Sequence, residues 1–237
     1  MSTRSAAWPR QIRLPGQAAA PDGPIDMQMT YVMHHAFRRD LDGFCGAVRQ
    51  TPLTERCTWK LLADRWDLFA EVLHAHHSGE DDGLWPLLEE RGTPDDVATL
   101  RAMAAGHAEL DPLLEACAAG FRRLAQRPDA DTRAALTVRV SAARESLRRH
   151  LAHEESEAIA IAQRVLTSAD WDRMDEEYFR AGITPRYAAR LVPWASYGVP
   201  REVLDRVFAD VGRGFWMMWL LTRRRFARRE ARAFAHA

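Results

Sequence analysis

The chain has 237 residues, 47% of them hydrophobic and 28% charged, and its 33 basic and 33 acidic residues cancel to a formal charge of zero. These values exclude a wholly disordered, a collagen-like or a polytopic membrane protein, and the neutral total gives no reason to expect nucleic acid as a partner. Cys45, Cys57 and Cys117 lack CxxC spacing, so neither a disulfide framework nor a thiolate metal site is expected, and a cytoplasmic location fits.

Residues 1–25 contain Pro9, Pro15, Gly16, Pro21, Gly23 and Pro24. With little periodicity, they are expected to form a flexible arm. They show no charged start followed by an apolar run, so secretion is not indicated. From residue 26 the pattern turns helical. His34, Phe37, Leu41, Phe44 and Val48 recur at steps of three and four, predicting a first helix over 26–50. Thr51-Pro52 predicts a stop and a new start, with Thr51 as cap and Pro52 in the first helical position. The second helix carries Trp59, Leu62, Trp66, Phe69, Leu73, His76 and Glu80 on one seam. It should run to about Glu90, with a kink at Pro86.

Thr93-Pro94 repeats the stop-and-start signal. The third seam is Leu100, Met103, His107, Leu110, Leu114 and Phe121, with Pro112 bending the helix. The fourth begins near Asp131 and carries Leu136, Val140, Ala143, Leu147, His150, Glu154, Glu157 and Ile161. Alternating Val/Ile/Thr runs are absent, so the predicted fold is all-α, an up-down-up-down four-helix bundle over 26–167. Residues 168–237, broken by several glycines and prolines, should form a helical C-terminal extension. In it Phe215 to Leu221 packs on the core while the following arginines are solvated; contact of this basic helix with a membrane or a protein is the alternative. The longest apolar run is far short of the ~20 residues a bilayer span needs.

Each bundle helix has one histidine on its apolar seam: His34, His76, His107 and His150. One such residue is an ordinary core histidine, but four imidazoles in one core lose solvation unless something inside replaces it, and a metal centre does so. His76 is followed by Glu80, and His150 by Glu154. Residues four apart on a helix project into the same space. Four imidazoles and two carboxylates suit iron or manganese, with zinc less suited, and two shared carboxylates favour a pair of ions. His35, His74, His77 and His153 lie beside the seams, where solvated or ligand-orienting roles are expected. His77 with Asp81 is the competing i+4 pair.

The stretches His34-His35-Ala36-Phe37-Arg38-Arg39, His76-His77-Ser78-Gly79-Glu80-Asp81 with Leu84-Trp85-Pro86, His107, and His150-Leu151-Ala152-His153-Glu154-Glu155 together resemble the hemerythrin-like (HHE cation-binding) family. The resemblance covers about 27–166. It implies a non-heme di-iron site bridged by carboxylates and oxo or hydroxo, binding or sensing O2, peroxide, NO or redox state. On it, His34 and His76 would serve one iron, His107 and His150 the other, and Glu80 and Glu154 would bridge. The oxygen-carrying branch has two histidines four apart on its third helix, whereas here Asp111 follows His107. That departure weakens simple oxygen carriage in favour of a redox, sensing or peroxide-reactive centre, a di-iron oxidase or peroxidase/catalase-like enzyme being the alternative. A third reading is an interaction or membrane-associated protein with a structural metal. Family members also use i+5, here Glu155, but on a straight helix that position points about 140° from His150.

Overall fold

The computed structural model describes residues 7–237, and residues 1–6 of the expected arm lie outside it. Among the described residues there are helices and turns but no strand. Four long helical stretches come first. They are α1 (Gln28–Gln50), α2 (Arg56–Gly79) continuing into α3 (Trp85–Arg91), α4 (Pro94–Gln126), and α5 (Ala130–His153) continuing into α6 (Ile159–Val165). The extension holds α7 (Ser168–Met174), α8 (Pro185–Ser196), α9 (Arg201–Val211) and α10 (Arg213–Ala233). Among the described residues no helix is long and apolar enough to cross a membrane.

Local chemistry sets the boundaries. Thr93 and Asp96 form a reciprocal capping box: Asp96 N–H donates to Thr93 Oγ1 at 3.3 Å, and Thr93 N–H donates to Asp96 Oδ2 at 2.8 Å. Asp129 accepts from Thr132 N–H at 2.7 Å and starts α5. The expected start of α2 at Thr51-Pro52 is corrected. Residues 51–55 make a turn and the helix begins at Arg56. The Pro52 carbonyl accepts from Glu55 N–H at 3.0 Å and from the Trp59 indole at 3.1 Å, so Pro52 ties the turn to the start of the helix from outside it.

α4 packs against both α2 and α5, and α5 packs on α1. The seams are buried as expected except at Glu157, which is exposed where the helix widens over Glu154–Ala158 and its register shifts; Phe44, Trp66, Phe69 and Phe121 meet at ring-centroid separations of 4.9–6.0 Å. α8 and α10 lie over the side formed by α1 and α2. A buried charge network pins them there. Arg65 donates to Asp40 and to Glu230, both at 2.6 Å, and the Trp194 indole donates to Asp40 at 2.7 Å. One guanidinium thus ties α1, α2 and α10 together, and the Trp194 indole adds α8.

Two expectations about the ends change. Residues 7–25 have no helix, but Ile12, Leu14 and Ile25 are buried against the bundle. The chain is fastened at its backbone: Gln11 donates to the Ile25 carbonyl and accepts from Met27 N–H, and Gln163 both donates to and accepts from Ile25. In α10, Phe215 to Leu221 does not bury as a block, because a helix turns only one stripe inward. Trp219 is buried, whereas Trp216, Met217 and Leu221 are exposed. The anchors lie further on, at Glu230, Ala233 and Phe234, whose ring packs at a tilt with its centroid 5.2 Å from that of Phe44.

Candidate metal centre

The two His-x-x-x-Glu motifs share a local device. Both helices widen by one residue immediately at the carboxylate, through π-turns at Glu80–Leu84 and Glu154–Ala158. Such turns concentrate at functional sites because they re-aim side chains without ending the helix. Pro86 follows the first π-turn directly, in the opening turn of α3, so the break in hydrogen-bond pattern and the proline fall together.

All six residues singled out by the sequence are buried and converge. Two ligand-like groups form: His34, His76, Glu80 and Glu154, and His77, Glu80, His107 and His150. Within each group one donor atom per residue lies within 4.8 Å of the others. Glu80 belongs to both. Its Oε1 is 3.1 Å from His76 Nε2, and its Oε2 is 3.4 Å from His107 Nε2. Glu154 Oε2 sits 3.3 Å from His34 Nε2 and 3.9 Å from His150 Nε2. His107 and His150 bring their Nε2 atoms within 3.1 Å of each other. Ligands held at about 2.1 Å from one ion and at right angles are about 3 Å apart, so this spacing suits a shared ion.

Orienting groups stand behind the imidazoles. Asp81 contacts His107 Nδ1 at 2.9 and 3.0 Å and fixes Nε2 toward the centre. Glu155, set aside on straight-helix geometry, is fully buried. Its Oε1 is 2.9 Å from His34 Nδ1, and Arg38 donates to it bidentately at 2.8 and 2.9 Å. It also accepts from Ala18 N–H at 2.7 Å, which couples the N-terminal segment to the centre.

His77 is the residue that sequence reasoning placed outside. It is buried, and its ring stacks on His107 with centroids 3.8 Å apart. Neighbouring helix positions point about 100° apart. With two groups side by side, His76 faces one and His77 the other. The His-His doublet followed by a carboxylate was the available signal. Asp111, by contrast, is exposed, so the third imidazole of the second group comes from α2 instead of α4. His74 and His153 are exposed, and His35 is half-buried.

Electrostatics follow from burial. His76 is driven down to about 3 and His150 to about 4, chiefly by desolvation, and His77 is pushed well below the ordinary imidazole range for the same reason. These rings are neutral, with lone pairs free to coordinate. Desolvation also opposes charge on His34, but Glu154 and Glu155 outweigh it and lift its pKa to about 9. Burial and the adjacent Glu154 push Glu80 up, whereas His34 holds Glu154 low against its own desolvation.

The fit to a cation can be judged from polar atoms without partners. His34 Nε2, His76 Nε2, His77 Nε2, Glu80 Oε2 and Glu154 Oε2 are buried and make no hydrogen bond. Buried polar groups are normally satisfied, and five orphans aimed into one space are what a metal centre repairs. No cysteine belongs to either group. The donor set is therefore nitrogen and carboxylate oxygen, which suits iron or manganese.

The extension closes over this centre. Phe179 sits against Gly79, where a Cβ would come within 2.5 Å of its ring, and Tyr178 sits against Gly83 in the same way. The Phe179 ring lies 6.1 Å from that of His76. Gly79 leaves room for this aromatic residue from outside the bundle.

A family model described as the hemerythrin HHE cation binding domain matches residues 28–162. No curated protein and no solved structure matches the chain.

Proposed function

The chain belongs to the hemerythrin HHE cation-binding family, and on that premise we propose that it holds two iron ions and uses them to bind or sense a small oxidant such as O2, peroxide or NO. One ion would be held by His34, His76, Glu80 and Glu154, the other by His77, Glu80, His107 and His150. The observation that carries this reading is Glu80, which offers one oxygen to each buried group. Bridging carboxylates hold metal pairs a few ångströms apart. Such a pair, when bound, supplies reversible electron storage and an open coordination position. Around it, Asp81 and Glu155 keep His107 and His34 aimed inward, Arg38 neutralises Glu155, and the aromatic wall of Phe37, Phe179 and Trp85 limits water. Manganese is the alternative ion for this donor set.

Elemental analysis of purified protein tests the assignment. We expect about two irons per chain in the wild type, about one in His77→Ala and in Glu154→Ala, each of which loses a ligand of a single group, and a near-complete loss in Glu80→Ala. Full retention by Glu80→Ala would overturn the shared-carboxylate centre.

A further inference from the structure

The cavity that reaches the metal centre is far larger than an oxidant needs. It measures about 620 Å³, within the range of roughly 300–1,000 Å³ that holds organic small molecules. One water occupies only about 30 Å³ of liquid. His76, Glu80 and Glu154 line one part of it. The remaining walls are mainly apolar and come from three sources, of which the N-terminal segment gives Pro24, Ile25 and Met27. The bundle gives Val32, Met33 and Val72, and the extension gives Phe179, Leu204 and Phe208. The cavity therefore lies between the matched domain and the residues that flank it on both sides.

Two features of the lining say what it would accept. Gln28 is 3% exposed, lines the cavity, and its Oε1 has no hydrogen-bond partner. A buried acceptor of this kind costs about 1–3 kcal/mol unless a donor meets it. Charge gives the second feature. Asp26, Asp172, Asp175, Glu176 and Asp210 line the cavity, against Arg180 as its single arginine. Arg206 pairs with Asp26 and Arg180 with Asp175. Asp172, Glu176 and Asp210 are exposed and have no ion pair among the described residues. This excess of carboxylates in the lining repels anions.

We propose that the cavity binds an apolar organic molecule bearing a hydroxyl or amine, which donates to Gln28, and holds it against the metal centre. The placement of the bound molecule beside a metal rests on the reading of the preceding section; the pocket and its selectivity do not. The extension, by supplying Leu204, Phe208 and Phe179, sets the shape of the ligand.

The test uses full-length protein and the neutral dye Nile red. Its fluorescence reports occupancy, and decan-1-ol, decylamine and decanoate compete for it. Decanol and decylamine should displace the dye at least tenfold more effectively than decanoate. Leu204→Trp, which fills the cavity, and a second filling variant at the lining residue Ala195, Ala195→Phe, should each weaken dye binding at least tenfold with helical circular dichroism unchanged. Gln28→Leu should weaken decanol severalfold while leaving Nile red bound. In Mn(II)-loaded protein, the NMR signals of bound decanol should relax faster than in metal-free protein. Decanoate competing as well as decanol, or dye binding unchanged in a folded filling variant, overturns the pocket. Decanol bound without enhanced relaxation in protein shown to carry Mn(II) overturns its placement at the centre. Metal content is measured on the same samples. Failure of the metal reading would then appear as protein that takes up no metal yet still binds the dye, and failure of the pocket as metallated protein that does not.

Discussion

Gly79→Ala probes whether the extension is truly seated on the metal centre. A Cβ at Gly79 would lie 2.5 Å from Phe179 Cε1 and 2.7 Å from Cδ1, so the ring would have to move. Two effects of opposite sign decide the outcome. Alanine in a helix interior is better than glycine by about 1 kcal/mol. Forcing extra volume against a packed ring costs about 1–3 kcal/mol. The sum is a net destabilisation of about 1 kcal/mol in the wild-type background. With Phe179→Ala already present the clash is gone, and the same change should stabilise by up to about 1 kcal/mol. The sign reverses, and the coupling between the two positions is about 2 kcal/mol, well above the scatter of such cycles. Urea unfolding of the four metal-free proteins, followed by helical circular dichroism with m-values compared, measures it. Equal stabilisation by Gly79→Ala in both backgrounds would refute the contact between Phe179 and α2.

Three further outcomes follow from the charge networks. Arg65→Met removes the cation shared by Asp40 and Glu230, both buried; a loss of about 3–5 kcal/mol is expected, against less than about 1 kcal/mol for Arg201→Ala at the exposed pair with Asp205, and similar effects on Tm would contradict this. Burial favours the neutral form of Asp40, but Arg65 and Arg39 outweigh it and hold the group below its ordinary value. A lowered carboxyl pKa contributes stability above the unfolded value and loses it as pH falls through the folded one, so Asp40 gives an acid limb below about pH 4. Burial pushes Glu230 up, the opposite sign, so it cannot produce that limb. Asp40→Asn should therefore lower Tm at neutral pH and flatten its acid decline; parallel curves for the two proteins would show that Asp40 is not responsible. Finally, Asp81→Asn weakens the acceptor behind His107 and should raise the metal Kd about 10–100-fold in chelator competition; an unaltered Kd would remove Asp81 from the centre.

The bundle was legible because its seams obey one helical period. Phe37, Leu41 and Phe44, or Leu100, Met103 and Leu110, announce their burial by spacing alone, and Thr93 and Asp129 announce their caps. The misreadings occur where the period breaks or where distant chain intervenes. A π-turn inserts a residue into the helix, so straight-helix geometry placed Glu155 off the seam, whereas it is fully buried beside Glu154. A single seam has no place for His77 beside His76; two metal-sized groups lie side by side, and neighbouring residues belong to one each. Residues 7–25 looked like a loose arm because irregular chain has no periodicity to read. Their order comes from Gln11, Gln163 and Glu155 bonding to backbone, and two of these three lie more than a hundred residues away.

Gly79 and Gly83 connect these points. They lie one turn apart on α2 and its π-turn, beside the ligand-like Glu80, and each is a poor residue for a helix. The structure gives both the same occupation: Phe179 and Tyr178, from residues outside the family match at 28–162, fill the space that a side chain would take. The same stretch of extension contributes Asp172, Glu176 and Phe179 to the cavity. Sequence that was tuned only for a buried ion pair would keep alanine at these positions and gain helix stability. The glycines therefore connect the bundle's metal centre to a wall built by the extension. Changes in that wall would alter which molecules reach His76, Glu80 and Glu154 while leaving the six imidazole and carboxylate side chains first read from the sequence in place.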